Sequence, residues 1–201
     1  WRSLLQWVGG VGIIVMAISI LPVLQVGGMQ VFRTESSDNA EKILPRTAQI
    51  AMAVIIIYVI LTSLCAIAYW LFGMPFFDSI AHSMTTIATG GFSTKNDSLA
   101  GFNSNSLEYV SCVFMILSSL PILIYLEASR GGIRKLVSDT QILTFFYIVL
   151  VSSLLVILYL WFFDIKDLEE SIRLGLFNVI SIITGTGYTT CLLYTSDAAD
   201  D

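Results

Sequence analysis

Two short stretches, Thr89-Gly90-Gly91-Phe92-Ser93 and Gly185-Thr186-Gly187-Tyr188-Thr189, each set glycine and hydroxyl residues ahead of one aromatic ring and a closing hydroxyl. Neither holds a charged side chain or a histidine to activate its hydroxyls, so the chemistry they offer is that of neutral oxygen: backbone carbonyls, with threonine hydroxyls beside them. Glycine reaches φ values closed to other residues, which lets successive carbonyls point the same way. A ladder of such carbonyls can replace the water shell of a cation, while the aromatic ring wedges the turn against the surrounding spans. A lone glycine turn is more simply read as a helix C-cap leading into a loop. A second copy in an equivalent place favours the coordinating reading.

Other chemistry finds little to work with. His82 is the only histidine, with no second ligand nearby to make a metal site. Cys65, Cys112 and Cys191 lack the close pairs of a zinc site or disulfide framework and are expected to be packing residues. An intramembrane enzyme would need paired acids or a Ser/His arrangement at depth, and no apolar stretch supplies one. The formal charge of -5 gives no basic footprint for nucleic acid. The chain is expected to be neither an enzyme nor a cofactor or nucleic-acid binder.

The elements that must hold these turns are apolar. Of the 201 residues, 56% are hydrophobic and 12% charged, about half the charge of a soluble domain, and mean hydropathy is +0.82. Residues 50–72, 110–126 with their flanks, and 142–163 are each long enough to cross a bilayer. Residues 4–24 make a fourth such stretch, broken by Gly9, Gly10, Gly12 and Pro22. Residues 31–46 and 127–141 read as ordinary loops and hold Arg33, Lys42, Arg46, Arg130, Arg134 and Lys135, which the positive-inside rule assigns to the cytoplasm. The other connections carry semi-apolar stretches at 77–88 and 172–183. Twelve residues of helix span only about 18 Å, so re-entrant half-helices are expected. Lys95, Lys166 and Arg173 lie in these connections, which face outward with Asp78, Asp97, Glu108, Asp164, Asp167, Glu169 and Glu170. Such an acidic mouth would concentrate cations, although loop charges of this kind are as simply read as solvated.

Setting Gly91 over Gly187 aligns FDSIAHSMTTIATGGFST with RLGLFNVISIITGTGYTT, an internal repeat. The unit is a span, a short outer helix, a glycine-centred polar turn and a second span. Non-helical backbone at membrane depth is tolerated only where protein or a water-filled path surrounds it, and each half-helix would aim the negative end of its dipole at a cation there. Thr85, Thr86 and Thr89 are expected to satisfy neighbouring carbonyls.

This unit is similar to the potassium-channel pore unit, and FDSIAHSMTTIATGGFST closely resembles the second pore loop of the bacterial Trk/Ktr family of potassium uptake proteins. QWVGGVGIIVMAISILPVL with VGGMQVFRTES, and ITGTGYTT, resemble the same family, so the likeness covers residues 1–190. It implies an all-α integral membrane protein of the bacterial cytoplasmic (inner) membrane. Four units of potassium-channel type would surround a pseudo-fourfold pore, incomplete in this chain. By position, Thr89, Gly90, Gly91, Phe92 and Ser93, and Gly185, Thr186, Gly187, Tyr188 and Thr189, would be two of the four filter strands that take potassium, the transported ion. Residues 1–30 would be the inner span of repeat 1, 45–129 a complete repeat 2, and 140–190 the first half of repeat 3. Implied partners are the lipid bilayer, a second copy in a homodimer and a cytoplasmic nucleotide-binding regulatory ring.

The pattern departs from the family in places. Gly185 replaces Thr89 and Thr186 replaces Gly90, which removes one side-chain oxygen but not the backbone ladder. Residues 191–201, CLLYTSDAADD, read as a non-native tail, and the chain as an internal fragment in which no signal peptide can be argued. An alternative is a secondary transporter, for example sodium-coupled, with broken-helix sites for another cation or solute; it predicts inverted repeats, whereas both copies here run the same way. Potassium and sodium remain open as substrates. His82 aligns with Asn178, which suggests a hydrogen bond to a neighbouring span. Pro121 is expected to kink its span, and Gly9, Gly10 and Gly12 to permit close helix contact.

Overall fold

The computed structural model describes residues 1–24, 40–102, 104–122, 124–125, 139–163 and 167–190. Among these, the regular elements are helical: α1 (Arg2–Leu24), α2 (Ala40–Leu71), α3 (Phe76–Ile87), a 3-10 turn η1 (Ser98–Phe102), α4 (Asn105–Ser119), α5 (Thr140–Phe162) and α6 (Leu168–Ile183). Gln49–Leu71 within α2 and Thr140–Phe162 are long and apolar enough to cross a membrane. Only 22% and 17% of these windows is buried, with Ile56, Ile60, Leu64, Leu150 and Leu154 exposed, which is the surface lipid would cover rather than the core of a soluble fold.

Several boundaries differ from the sequence expectation. Residues 40–46, expected as loop, belong to α2. The glycines of α1 do not interrupt it. The α6 helix begins four residues ahead of the expected 172, and its 16 residues extend about 24 Å. The span expected at 110–126 is broken rather than kinked. Leu120, at φ −70 and ψ 143, is held extended because the following proline disfavours helical backbone in the residue before it. Pro121 has no N–H for the Leu117 carbonyl one turn back, and the Tyr125 hydroxyl donates to that carbonyl instead.

The short helices occupy the middle. Helix α3 packs on α1, α2 and α4, whereas α6 packs on α4 and α5. Local punctuation sets these ends: Gly73 at φ 98 and Pro75 at the N-cap stop α2 from running into α3, and the Ser104 hydroxyl caps α4 by accepting from Leu107 N–H. Gly10 lets α1 approach closely, since a Cβ there would stand 2.8 Å from Tyr58 Oη and 3.4 Å from Ala88 Cβ. Gly9 and Gly12 meet nothing within 4 Å, so the close contact expected of three glycines belongs to one. Cys65 and Cys112 are free and buried, as packing residues should be. Cys191, the proposed tail, Asp164, Lys166 and the basic residues of 127–138 lie outside the described residues.

Candidate functional site

Helices α3 and α6 each end directly in one of the glycine turns, with Ala88 and Thr184 as their C-caps. Backbone φ turns positive at Thr89 (48) and Gly91 (64), and again at Gly185 (73) and Gly187 (80). These positions match under the Gly91/Gly187 alignment, so the two turns share one backbone pattern despite different residues. A left-handed residue at every second position cancels the alternation of carbonyl direction along an extended strand. Thr89 bears a cost of about 1–2 kcal/mol that its glycine counterpart avoids.

Each turn is tied back to its own helix by the same device. Thr85 Oγ1 donates to the Phe92 carbonyl at 2.9 Å, and Ser181 Oγ, its match, donates to the Tyr188 carbonyl at 2.6 Å. The matched carbonyls of Thr85 and Ser181 are also both used, although by donors one position apart in the alignment: Gly90 N–H donates to Thr85 O and Gly187 N–H to Ser181 O. The Thr86 hydroxyl satisfies the helix carbonyl of His82 at 2.7 Å, so the expectation that Thr85, Thr86 and Thr89 serve neighbouring carbonyls is met by Thr85, through Phe92, and by Thr86.

The turns also meet each other. A Cβ on Gly91 would stand 1.9 Å from the Thr186 carbonyl oxygen, so only glycine allows this approach. Tyr188 is buried against α3, its Oη 2.6 Å from Thr85 Oγ1 and 3.2 Å from the His82 carbonyl. Tyr69 of α2 reaches the same cluster, 2.9 Å from Thr86 Oγ1. Phe92 plays no matching part: it is half-buried, with the Arg2 guanidinium 4.7 Å over its ring. The expected pair of equivalent wedges is therefore one wedge, and it keys into the other unit's short helix. His82 likewise departs from expectation, bonding to Ser93 Oγ at 2.9 Å rather than to a neighbouring span.

The acids are less uniform than the sequence suggested. Glu108 is buried and accepts from Arg173 Nη1 at 2.6 Å, joining α4 to α6. It sits ahead of the apolar run that starts at Val110; burial pushes its carboxyl above the ordinary range, and the Arg173 hydrogen bond draws it only partly back. Asp78 accepts from the Thr94 hydroxyl at 2.7 Å. Asp97, Asp167 and Glu169 are exposed, as solvated charges would be.

Three contributors escaped the sequence reading. Gln6 Nε2 of α1 donates to the Gly90 carbonyl at 3.1 Å, and Ser98 Oγ in η1 accepts from Thr189 N–H at 3.2 Å. Ser181 was legible through its alignment with Thr85; Gln6 and Ser98 carried no such signal. Beneath the first turn lies a cavity of about 420 Å³ lined by Gly10, Tyr58, Ala88, Thr89, Leu117 and Tyr125 among others. Among the described residues no group of three His, Cys, Asp or Glu could hold a metal ion. The oxygens the turns present are neutral, suited to a weakly hydrated cation rather than to a catalytic metal.

A sequence profile described as "TrkH: Cation transport protein" matches residues 1–191. The chain belongs to the TrkH cation transport protein family. It is 41% identical over 194 residues to the Trk system potassium uptake protein TrkI of Halomonas elongata, covering 94% of this chain and 39% of that protein. Identity to the Trk system potassium uptake protein TrkH of Salmonella typhimurium is 39% over 196 residues, 94% of this chain and 40% of the relative. The crystal structure of the potassium transporter TrkH from Vibrio parahaemolyticus superposes with a TM-score of 0.82 at 36% identity, over 94% of this chain and 38% of that one. This TrkH-family chain thus spans about two fifths of the length of the relatives it matches. Its helical architecture agrees with a membrane transporter, and its family is one of transport rather than of enzymes.

Proposed function

We propose that this chain is part of a potassium uptake protein of the bacterial cytoplasmic membrane, and that Thr89 to Ser93 and Gly185 to Thr189 are two strands of its selectivity filter. The observation that carries the reading is the matched backbone: two turns with left-handed φ at the same alternate positions, each at the C-terminal end of a short helix, lying against each other. Neutral carbonyls in a dry site can replace the water around potassium, and the helix ends add roughly half a negative charge each. The bonds from Thr85 and Ser181 to the Phe92 and Tyr188 carbonyls anchor the outer end of each strand. The family and the names of the relatives, all potassium uptake proteins, support potassium as the ion.

In this reading residues 1–30 are the inner span of a first repeat, 45–129 a complete second repeat and 140–190 the first half of a third, in a pseudo-fourfold pore. Residues 191–201 stand outside it as a non-native tail. The working protein is a homodimer with a cytoplasmic nucleotide-binding regulatory ring. The complete protein should restore growth of a potassium-uptake-deficient bacterium at low potassium. Growth restored only by an unrelated solute, with no accumulation of potassium or its tracer rubidium, would overturn the reading.

A further inference from the structure

His82 is the buried polar group at the site that the ion path leaves unused. Its Nδ1 lies 2.8 Å from the Asp78 carbonyl and its Nε2 2.9 Å from Ser93 Oγ. A carbonyl can only accept, so Nδ1 carries the hydrogen. In the neutral ring Nε2 is then a bare lone pair, and the Ser93 hydroxyl must donate to it. Ser93 Oγ itself accepts from Lys95 N–H at 3.1 Å. One directed chain therefore runs from the Lys95 amide through the Ser93 hydroxyl and the imidazole to the Asp78 carbonyl. Two rings flank the imidazole: Phe102 of η1 stands edge-on at 5.2 Å, and the Tyr188 ring from the second turn stacks at 6.1 Å.

The second unit repeats only half of this arrangement. Asn178, the match of His82, donates Nδ2 to the Leu174 carbonyl four residues back at 2.9 Å, as His82 does to Asp78. Its contact with the second turn is longer, 3.4 Å, and falls on Thr190 rather than on Thr189, the match of Ser93. The shorter carboxamide keeps the bond to its own helix and loses the reach that the imidazole has.

We propose that His82 is a positioning residue of the first turn: as the neutral Nδ1–H tautomer it accepts the Ser93 hydroxyl hydrogen, fixes the outer end of residues 89–93, and so sharpens the preference for potassium over sodium. The effect on selectivity rests on the filter reading above; the tautomer and the bond rest on geometry alone. The test accordingly has two arms. Ring-15N-histidine labelling of the complete transporter in lipid, with the pair lost in His82→Asn assigned to His82, reports its two nitrogens. A protonated Nδ1 and an unprotonated Nε2 that shifts in Ser93→Ala are expected; a protonated Nε2, or no shift, overturns the proposal whatever the protein transports.

In the complete transporter, His82→Asn retains the bond to Asp78 and loses Ser93, whereas His82→Gln reaches Ser93 and gives up Asp78. His82→Asn and Ser93→Ala should each lower the potassium-over-sodium uptake ratio about fivefold, the size of one buried hydrogen bond. The double variant should fall no further, and His82→Gln should keep the ratio near wild type. An unchanged ratio in His82→Asn, or additive losses, overturns the proposal. Wild-type protein that carries no potassium would count against the filter reading and leave the nitrogen arm decisive for the bond.

Discussion

Replacing Gly91 by alanine tests the contact between the two turns most directly. Alanine at φ 64 costs about 1–2 kcal/mol in backbone conformation. Its Cβ would also stand 1.9 Å from the Thr186 carbonyl oxygen and 3.2 Å from the Gly187 carbonyl carbon. Both are backbone atoms, so no rotamer change relieves the overlap. Non-bonded carbon contacts settle near 3.5 Å, and the turns would have to part by well over an ångström. Such overpacking adds about 1–3 kcal/mol and moves the carbonyls that would hold the ion. Gly73→Ala supplies the control, since φ there is 98 and nothing lies within 4 Å of the new Cβ. It bears the conformational strain without the collision. At matched expression, rubidium uptake should fall to background in Gly91→Ala and persist in Gly73→Ala, and thermal unfolding in detergent should show the larger loss for Gly91→Ala. Equal stability losses, or normal uptake by Gly91→Ala, would refute the packing of the turns and the filter reading that depends on it.

Tyr188→Phe removes a buried hydroxyl shared with Thr85, Thr86 and His82 and should cost about 1–3 kcal/mol, whereas Phe92→Leu, at a half-exposed ring, should cost far less; paired melting curves would show whether the two rings differ. The raised carboxyl of Glu108 means that the folded protein holds this proton more tightly than the unfolded chain does. Its contribution to stability is therefore full below the ordinary 4.5 and is lost as pH rises through the raised value, a slope in melting temperature that Glu108→Gln should abolish. Arg173→Met leaves that buried carboxylate unpaired and should cost about 3–5 kcal/mol near neutral pH and less in acid, measured by the same melts. Tyr125→Phe orphans the Leu117 carbonyl and should cost about 1 kcal/mol; Pro121→Ala, which restores a backbone N–H, should shrink that cost in a double-mutant cycle.

The parts of the fold set by neighbouring residues were legible in advance. The α3 helix falls at Phe76–Ile87 against the expected 77–88, because Gly73 and Pro75 before it and the glycine pair after it are local stops. Helix α5 and the Gln49–Leu71 part of α2 follow from unbroken apolar runs. The equivalence of the two turns follows from the internal alignment, but the left-handed φ at Thr89 rather than at Gly90 does not follow from residue type. What was not legible depends on helix rotation and on distant partners. Nothing local distinguishes Gly10 from Gly9 and Gly12 until α1 is seated against Tyr58 and Ala88. The break at Pro121 became an end rather than a kink because Tyr125 turned back to serve the carbonyl that the proline left unpaired.

The sequence by itself determined that the chain is helical, with stretches long and apolar enough to cross a membrane, and that a glycine turn follows each short helix, since backbone conformation and hydrophobic partition depend on residue type and short spacing. Tertiary structure decided how those turns are held. It chose Tyr188 rather than Phe92 as the wedge, turned His82 toward Ser93, and took Glu108 out of the acidic mouth by pairing it with Arg173, 65 residues away. These choices rest on which surfaces α3, α4 and α6 present to one another, and packing between segments far apart in the chain leaves no periodic trace in the order of residues.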